Sequence, residues 1–449
     1  MKLIQKIQFE ILRLCSKIIK KNHNSNSLFC YFAFWDDTIG FKNILFQLNK
    51  KNNFLKLVLK IFKEIYFSSI DIKFSIKKNS KNKINNYKKI IFTDASLADF
   101  DSYGNFTDRY FRSNPKKNKQ YLYFVIYSSK KFPKKISENL ILLKYEYLFF
   151  RKYHFLKNFI VIIKNLYKCN FNFIKLINQH SLTAKFAKNI IKYIEKELNL
   201  KKFEKLLISF EAQPYQIDIL NIFKKSNKKI VNIGYDHSTP HALPIHMFYR
   251  FKNLDHLIVN GINQKKFFIK YLKWPSNKIN VEKSLRYQLN DNLDYSGKIF
   301  LPFKIFNVEM ILYEFDLILS LKPYLAKNLT IRNHPLKFNS PNHIFLINSL
   351  KSIINKYVKK NKKYLDRKNN ISFFIGQTTS VIVALEKNLN VIHICNNPNF
   401  DMYNSKLWNN LKVAKISNNS FEYKLLKKNS FLNFVNNSKS KIIKSYECD

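Results

Sequence analysis

Short apolar runs alternate with segments of helical spacing through most of the 449 residues, and this alternation constrains the fold more than any other feature. The runs are rich in Ile, Leu, Phe and Tyr, as strands buried on both faces are. A strand, a helix and a second strand form a parallel unit, because the helix returns the chain to the same end of the sheet. The sequence therefore predicts an α/β protein with parallel sheets and helices on both faces.

The predicted elements form two series. Predicted strands cover 29–35, 90–93, 121–127, 206–210, 230–234, 256–259, 299–301, 329–332, 371–375 and 391–395. Predicted helices cover 44–62, 182–198, 215–225, 263–272, 308–321, 350–359 and 381–387. The stretch 141–167 is expected to hold a strand and a buried helix. A polar stretch, QLNDNLDYSGK, separates the series, so we predict two Rossmann-like domains over residues 1–286 and 296–449.

The charge of the chain bears on its partners. Lys and Arg number 79 against 30 Asp and Glu, which gives a formal net charge of +49. Asn, Ile, Phe and Tyr are raised together with Lys, and all five have AT-rich codons, so genomic bias explains most of this profile. The basic residues are spread along nearly every segment, which argues against nucleic acid as the partner. An anionic membrane surface or a phosphorylated substrate stays open.

The beginning of the chain predicts an amphipathic basic helix over residues 2–20, where apolar side chains recur at helical spacing between Lys and Arg. This pattern is not that of a signal peptide. Two interpretations are open: a helix packed on the N-terminal domain, or an anchor that lies on a membrane surface. No stretch of 18 apolar residues occurs, so no transmembrane helix is expected.

The turn after the predicted strand 371–375 is a candidate anion site. Gly376, Thr378, Thr379 and Ser380 lead from this strand into a predicted helix. Hydroxyls and backbone N–H groups at a helix N-terminus bind anions, and ligands of doubly wound folds lie at this edge of the sheet. The turn therefore predicts a phosphate site, with ordinary helix capping by Thr or Ser as the alternative.

A second polar stretch, LTIRNHPLK, follows the preceding strand of the same series. Its strand ends at Arg332, and Pro335 fixes the backbone beside His334. Such a His can donate to a phosphate or protonate a phosphate leaving group, and Arg332 could neutralise the same charge. A His-Pro pair is common in loops. Its position one strand–helix unit before the Thr-Thr-Ser turn favours the phosphate interpretation.

Two strands of the first series also end in polar clusters. These clusters consist of Glu211, Gln213, Asp236, His237, Ser238 and Thr239. Because neighbouring parallel strands end at one edge, a carboxylate and an imidazole there could form a general-base site, with Glu211 as first candidate and His237 as second. The alternative is helix capping by Asp236 or Ser238 and a solvent-exposed Glu211.

Other catalytic signatures are absent from the sequence. It has no GxGxxG, GxxxxGK[ST], GxSxG or HExxH, which argues against nicotinamide enzymes, P-loop ATPases, α/β-hydrolases and zincins. Asp94, Asp99 and Asp101 lie in an aromatic-rich stretch, either as sugar contacts or as solvated turn residues, and no further metal-site pattern accompanies them. The five cysteines are far apart without a CxxC, which indicates neither disulfides nor zinc and fits a reducing cytoplasm.

Taken together, these stretches resemble the GT-B superfamily of nucleotide-sugar-dependent glycosyltransferases, especially bacterial capsule and lipopolysaccharide biosynthesis proteins. The segments FEAQPYQ, GYDHSTP, DHLIVNG, KINVEKSLRY and IFLPFKIFNVEM occur in the order found there, followed by the His-Pro and the Gly-x-Thr-Ser-like turn. GNFTDRYF at 104–111 is the best match further upstream. The His-Pro and Ser/Thr motifs also look like the donor site of polysialyltransferases and CDP-glycerol transferases.

The resemblance implies two domains that face one another across a cleft, with the acceptor in the N-terminal and the donor in the C-terminal domain. It implies that His334, Thr379 and Ser380 hold the donor phosphate. Relatives carry an acidic residue in the next helix, where it can hold a ribose, and here Glu386 lies one turn beyond that position. No metal and no cofactor besides the nucleotide-sugar co-substrate is expected, because helix N-termini and basic residues can neutralise the leaving phosphate.

The resemblance further implies a surface glycan or lipid-linked sugar as acceptor, at the inner face of the cytoplasmic membrane. Three other classes stay open. An enzyme like the nucleotide-sugar 2-epimerases would need carboxylates that face the sugar from both domains. A polyanion-binding protein would lose affinity steeply with salt. A non-catalytic polysaccharide assembly protein would bind without turnover.

Overall fold

The computed structural model describes residues 1–21, 39–79, 84–166, 182–285, 294–334, 340–360 and 370–434. The predicted strand at 29–35 lies outside these residues. The fold is mixed α/β, with two sheets that are mostly parallel and separate in the chain.

The helices are α1 (Lys2–Lys21), α2 (Ile39–Leu48), α3 (Lys50–Ser68), α4 (Lys152–Leu166), α5 (Leu182–Glu197), α6 (Pro214–Ser226), α7 (Ile262–Leu272), α8 (Val308–Leu321), α9 (Pro341–Lys360), α10 (Ser380–Glu386) and α11 (Pro398–Asp401). The strands are β1 (Ile70–Lys78), β2 (Lys89–Ala95), β3 (Tyr121–Tyr127), β4 (Leu140–Phe150), β5 (Lys205–Ser209), β6 (Val231–Tyr235), β7 (His256–Val259), β8 (Ile279–Val281), β9 (Lys298–Phe300), β10 (Thr330–Arg332), β11 (Ile371–Ile375), β12 (Asn390–Ile394), β13 (Leu411–Lys415) and β14 (Ser420–Leu425).

The first sheet has the strand order β1-β4-β3-β2-β5-β6-β7-β8. Only β1 runs against its neighbour; the other strands pair in parallel. All side chains of the central strand β3 are buried, as expected for a parallel strand covered on both faces. The parallel strands therefore end at a common carboxyl edge.

Alternate residues of the strands build the two cores of this sheet, because successive side chains point to opposite faces. On one face, Phe92 of β2 packs edge-on against Phe223 of α6. On the other face, Ile91 packs in a cluster with Phe106 and Phe111, which belong to the segment between β2 and β3. That segment is thereby fixed over the sheet, next to its carboxyl edge.

The second sheet has the order β10-β9-β11-β12-β14-β13, of which the first four strands are parallel. Helices cover both faces. Phe315 of α8 packs against Phe373 at 5.7 Å between ring centroids, while Phe374, the next residue of β11, belongs to the core that contains α10. The strands β9, β10, β11 and β12 also end at one carboxyl edge.

The structure corrects several predicted elements. The predicted helix 44–62 is two helices, α2 and α3, separated at Asn49. The strands β1, β8, β13 and β14 have no counterpart among the predictions, because they are short or carry Lys on an exposed side. The stretch 141–167 does form strand and helix, as β4 and α4, but the expectation of a buried helix was wrong: Tyr153 and Leu156 are exposed.

The helix α1 packs on the protein with its apolar side. Ile11 and Cys15 are fully buried, and the Gln8 side-chain amide donates to the carbonyl of Met402 at 2.8 Å. This packing favours the first of the two interpretations of residues 2–20. Among the residues that the structure describes, no helix combines the length and apolar content needed to cross a membrane.

The residues after β12 return to the first half of the molecule. Trp408 stacks on Phe267 of α7 with ring centroids 4.3 Å apart. The Asn263 amide donates to the carbonyl of Phe431 at 2.8 Å. Gly261 lies so close to this segment that an added Cβ would stand 2.4 Å from the Leu432 carbonyl oxygen. The segment 398–434 therefore joins the two halves.

Candidate functional site

The carboxyl edges of the two sheets meet at Thr239 and Thr379. Thr239 follows β6, and Thr379 lies between β11 and α10. The buried hydroxyl of Thr239 donates to the Thr379 carbonyl at 2.7 Å. Since ligands of α/β proteins bind at carboxyl edges of parallel strands, the surroundings of this contact are the place to look for a site.

Glu211 and His237 form the central pair on the first edge. Glu211 follows β5, and His237 follows the neighbouring strand β6. The Glu211 Oε1 atom lies 3.2 Å from Nε2 of His237. Ala212 has a φ of 57°, a left-handed conformation that few side-chain-bearing residues adopt, and it turns the chain sharply into Pro214 at the start of α6. The sequence-predicted pair is thus brought together by a strained loop.

The two members of the pair differ in accessibility. The Glu211 side chain is 39% exposed, whereas His237 is buried. The Tyr110 ring lies over the imidazole with centroids 3.9 Å apart. The Nδ1 atom of His237 is buried without a hydrogen-bond partner among the described residues. Glu211 is therefore the member of the pair that is more accessible to an incoming molecule.

Two opposing effects act on the Glu211 carboxyl. Burial tends to raise its pKa, but the imidazoles of His237, His246 and His241 outweigh this and lower the pKa to about 2. Burial also lowers the pKa of His241 to about 4 and that of His246 well below its usual value. Near neutral pH these two imidazoles are uncharged, so the stabilisation of the carboxylate there depends on His237.

Asp94 adds a second carboxyl to this edge. It lies near the end of β2, the strand beside β5, and accepts a hydrogen bond from the Tyr215 hydroxyl at 3.0 Å. Burial raises the pKa of Asp94 to about 7, the charge of Glu211 adds to this, and the Tyr215 hydrogen bond works against it. The edge thus holds one firmly ionised carboxylate and one carboxyl poised to titrate near neutral pH.

The other residues predicted on this edge have structural contacts. Gln213 precedes α6, and its backbone N–H donates to the Gln216 side chain at 2.9 Å. Asp236 is buried and accepts from Gln264 at 2.8 Å and from the Ser238 hydroxyl at 3.3 Å. Burial and the nearby Glu211 charge raise the pKa of Asp236 well above its usual value. These contacts hold the loops that carry Glu211 and His237.

The predicted anion turn lies on the second edge. Gly376 has a φ of 63°, and an added Cβ there would stand 2.8 Å from the Asn396 amide nitrogen. The Thr378 hydroxyl accepts from the backbone N–H of Ser380 at 3.3 Å. The helix that follows, α10, is only two turns long, so its dipole is weak. The turn is placed as predicted, at the edge of β11 and against Thr239.

His334 and Arg332 lie on the same edge but not next to the turn. The strand β9 separates β10 from β11, and the residues after β9 fill the space between. The His334 ring packs edge-on against Phe303 at 5.3 Å, and the Arg332 guanidinium lies 5.7 Å from the centre of the Phe300 ring. The structure therefore brings His334, Phe303 and the Gly376 turn onto one edge. Pro335 lies outside the described residues.

Asn396 was not predicted and belongs to this edge. It follows β12, beside β11. Both polar atoms of its side-chain amide are buried without a hydrogen-bond partner among the described residues, and the amide stands against Gly376. Buried polar groups are rarely left unpaired, so a ligand at the turn would supply the hydrogen-bond partners that this amide lacks. The position just after a strand was the signal for it in the sequence.

Glu386 lies at the end of α10, away from the turn. Its side chain is buried, and its carboxylate accepts from the backbone N–H of Leu432 at 2.5 Å. Burial raises the pKa of Glu386, and hydrogen bonds from the same backbone segment limit this effect. The contact gives Glu386 a structural role: it fastens the C-terminal segment to the second half.

Asp94, Asp99 and Asp101 were expected to be either sugar contacts or solvated turn residues, and the structure places them differently. Asp101 accepts from the backbone of Tyr103 and Asn105, as a turn residue does. Asp99 pairs with Arg109. Asp94 instead stands on the Glu211 edge, as described above. Within the described parts of the chain, no group of His, Cys, Asp and Glu is arranged to hold a metal ion.

Comparisons with known proteins leave the family of this chain open. No protein-family description matches its sequence, and no curated protein does. Among solved structures, one similar chain is a variant of the wall teichoic acid polymerase TagF, with 11% identity over 78% of this chain and 77% of that chain. The TM-score is 0.29. At this value the overall likeness is too loose to carry an argument, so the function must be argued from the chain's own residues.

Proposed function

We propose that this protein is a GT-B glycosyltransferase that moves a sugar or sugar-like group from a nucleotide-activated donor to a glycan or lipid-linked acceptor. The observation that carries the proposal is the Glu211–His237 pair, which lies on a carboxyl edge that contacts the Gly376–Ser380 turn of the other sheet. A base and an anion site on facing edges are what transfer to a hydroxyl requires. The sequence motifs that resemble GT-B enzymes lie on these same two edges.

Glu211 is the group that would touch the acceptor. Its side chain is 39% exposed, so an acceptor hydroxyl can donate a hydrogen bond to the carboxylate and lose its proton as the new bond forms. A carboxylate held at low pKa is a weak base, and the low pKa reflects the adjacent imidazole. His237 is therefore a positioning residue that also sets the base strength of Glu211.

The second edge would hold the donor. Thr378, Thr379 and Ser380 offer hydroxyl and backbone donors, and the unpaired amide of Asn396 points to the same turn. His334, which packs on Phe303, and Arg332, which lies beside Phe300, would reach the phosphate from the other side. A phosphate leaving group needs such hydrogen bonds and positive charge as the sugar departs. We propose that basic side chains supply this charge and that no metal is required.

The proposal is tested by calorimetric titration with CMP, CDP, UDP and GDP at moderate salt. One nucleotide should bind selectively, and His334→Ala and Asn396→Ala should each weaken it about tenfold or more, since each removes a hydrogen bond to a charged group. His154→Ala, the same change on a helix of the first half, is the matched control and should leave the affinity unchanged. Chelation with EDTA should also leave it unchanged.

The same titrations separate binding from chemistry. Glu211→Gln should bind the nucleotide normally but lower transfer from the corresponding nucleotide-sugar about a hundredfold or more, as loss of a general base does. His237→Gln should keep part of the activity and move the acid limb of its pH profile to higher pH, because the imidazole that lowers the pKa of Glu211 is removed. Equal weak binding of all four nucleotides, abolished by salt and unaffected by the variants, would show bulk electrostatics and sink the transferase proposal.

A further inference from the structure

The helix α3 carries apolar residues on two sides. Leu57, Ile61 and Ile65 are buried against Phe155 and Phe159 of α4. The other side presents an exposed stripe at helical spacing, which consists of Leu55, Leu59, Phe62 and Tyr66. Leu55 is 68% exposed. One apolar side thus packs inside the protein, and the side chains of the second remain 45–68% exposed within the described part of the chain.

The exposed stripe continues across α4 and the end of β4. Tyr153, which is 71% exposed, Leu156 and Ile160 lie on one side of α4. Tyr147, Leu148 and Phe149 project from the end of β4, and Phe149 is 84% exposed. Ring contacts between Phe62 and Phe159 at 6.1 Å, and between Tyr66 and Phe150 at 4.7 Å, connect these elements. We call the exposed apolar side chains of α3, α4 and the β4 end the α3/α4 patch.

Basic side chains outnumber acidic ones around the patch, where the exposed Glu146 is paired with Lys144. Its exposed basic residues are Lys56, Lys63, Arg151, Lys152 and Lys157. The single acidic residue of α3, Glu64, is paired with Lys60 at 2.7 Å, and the α4 sequence contains no acidic residue. If two copies of the protein met through this surface, like charges would face one another, which disfavours such a dimer. Exposed aromatic and aliphatic side chains within a ring of cations instead match an anionic lipid surface.

A cavity of about 580 Å³ opens beside the patch and adds to its positive charge. Ser68 of α3 and Asn158 of α4 line it, together with Lys185, Lys188 and Lys192 of α5. One of its two carboxylates, Asp71, pairs with Arg151 and Lys185. The cations therefore extend from the patch into the body of the first half.

We propose that the α3/α4 patch docks on an anionic lipid bilayer. The strand β4 passes through the carboxyl edge that carries Glu211 and His237, because β4, β3, β2 and β5 are consecutive parallel strands, and it extends six residues beyond Lys144, which pairs with the last residue of β3. Three strand spacings separate β4 from β5 by about 14 Å, and residues 147–149 lie about 10–17 Å farther along β4. A bilayer on the patch would hold a lipid-linked acceptor at this edge. Docking stands on the patch alone, whereas the delivery of an acceptor rests on the proposed function.

The test is flotation of the full chain with vesicles of phosphatidylcholine alone and with vesicles containing about one third phosphatidylglycerol. We expect binding to the anionic vesicles only, weakened by salt. The triple variant Phe149→Ser, Tyr153→Ser, Leu156→Ser should bind about tenfold more weakly, because it removes apolar area from the bilayer contact. Its melting temperature should stay close to that of the wild type, since the three side chains are exposed.

The matched control replaces two residues that are equally exposed elsewhere, Tyr103→Ser and Leu426→Ser. This control should bind vesicles like the wild type. Equal binding by the triple variant, or an equal loss in the control, would overturn the proposal. A dimer in sedimentation that the triple variant dissociates would identify a second copy as the occupant and would also overturn it. Nucleotide titration of the triple variant reports on the proposed function separately, and should be unchanged.

Discussion

The helix α1 and the α3/α4 patch both combine basic and apolar side chains, but they differ in the burial of their apolar side chains. On α1 the apolar side is covered: Ile11 and Cys15 are buried, and Gln8 donates to Met402 of the second half. On α3 and α4 an apolar stripe stays in contact with water. Amphipathic spacing in a sequence therefore reveals an apolar face but not what covers it. Only the packing distinguishes a structural helix from a docking surface.

The contrast predicts a large difference in stability. Ile11→Asp would bury an unpaired carboxylate between α1 and the core, so it should lower the free energy of unfolding by about 4 kcal/mol or more. Leu59→Asp makes the same change on the exposed stripe of α3 and should cost less than about 0.5 kcal/mol. Urea unfolding of both variants measures this. Similar losses in the two would mean that α1 and the patch do not differ as described.

A smaller effect concerns pH. The Cys15 side of α1 lies near Arg250, in the loop that also carries His241 and His246. Burial lowers the pKa of His241 from 6.5 to about 4, against the pull of Glu211. As the pH falls, the His241 imidazole is therefore protonated at a higher pH in the unfolded chain than in the folded protein. Stability from a neutral His241 is present above about pH 6.5 and is lost as the pH drops through 4.

The variant His241→Gln cannot take up this proton. Relative to the wild type, its free energy of unfolding should rise by about 2 kcal/mol between pH 7 and pH 4. The patch contains no such buried imidazole, and Leu59→Ser should show no pH-dependent difference from the wild type. Denaturant titrations at several pH values give the comparison. A constant difference between His241→Gln and the wild type would contradict the assigned burial.

The smallest effect is expected at Leu3, which lies on α1 but is 69% exposed. Leu3→Ser should change the free energy of unfolding by less than about 0.5 kcal/mol and leave vesicle binding unchanged. Flotation of this variant beside the triple patch variant makes the comparison sharper. If Leu3→Ser weakened vesicle binding as much as the patch variant, α1 would share the membrane contact and the contrast would fail.

The sequence was sufficient to predict the strands that are buried on both faces. The strand β3 is an unbroken run of aliphatic and aromatic residues, and β11 is interrupted only by Ser372, because helices or loops cover both sides of each strand. The edge strands β1 and β13 carry Lys at exposed positions, and their pattern therefore looks like that of a solvated loop. The apolar content of 141–167 predicted a buried helix, but the sequence did not reveal that Tyr153 and Leu156 of α4 are exposed.

The candidate site shows the same limit. Glu211 and His237 could be paired from the sequence because they follow neighbouring strands of one parallel sheet. Tyr110 could not, because a long segment folds back over the sheet to place it on His237. Glu386 was expected near the donor, but its carboxylate binds a backbone segment almost fifty residues away, a contact that depends on tertiary structure.

The close approach of the C-terminal segment to Gly261 has a consequence for how the molecule can be divided. The ring of Trp408 covers Phe267, and Asn263 reaches the backbone of residues 430 and 431. A fragment that ended after β8 would leave Phe267 bare and would lose these amide contacts. The second sheet would in turn lose the surface on which its last residues rest. The boundary between the sheets is thus a boundary in sequence, while in the folded chain the C-terminal segment packs on both halves.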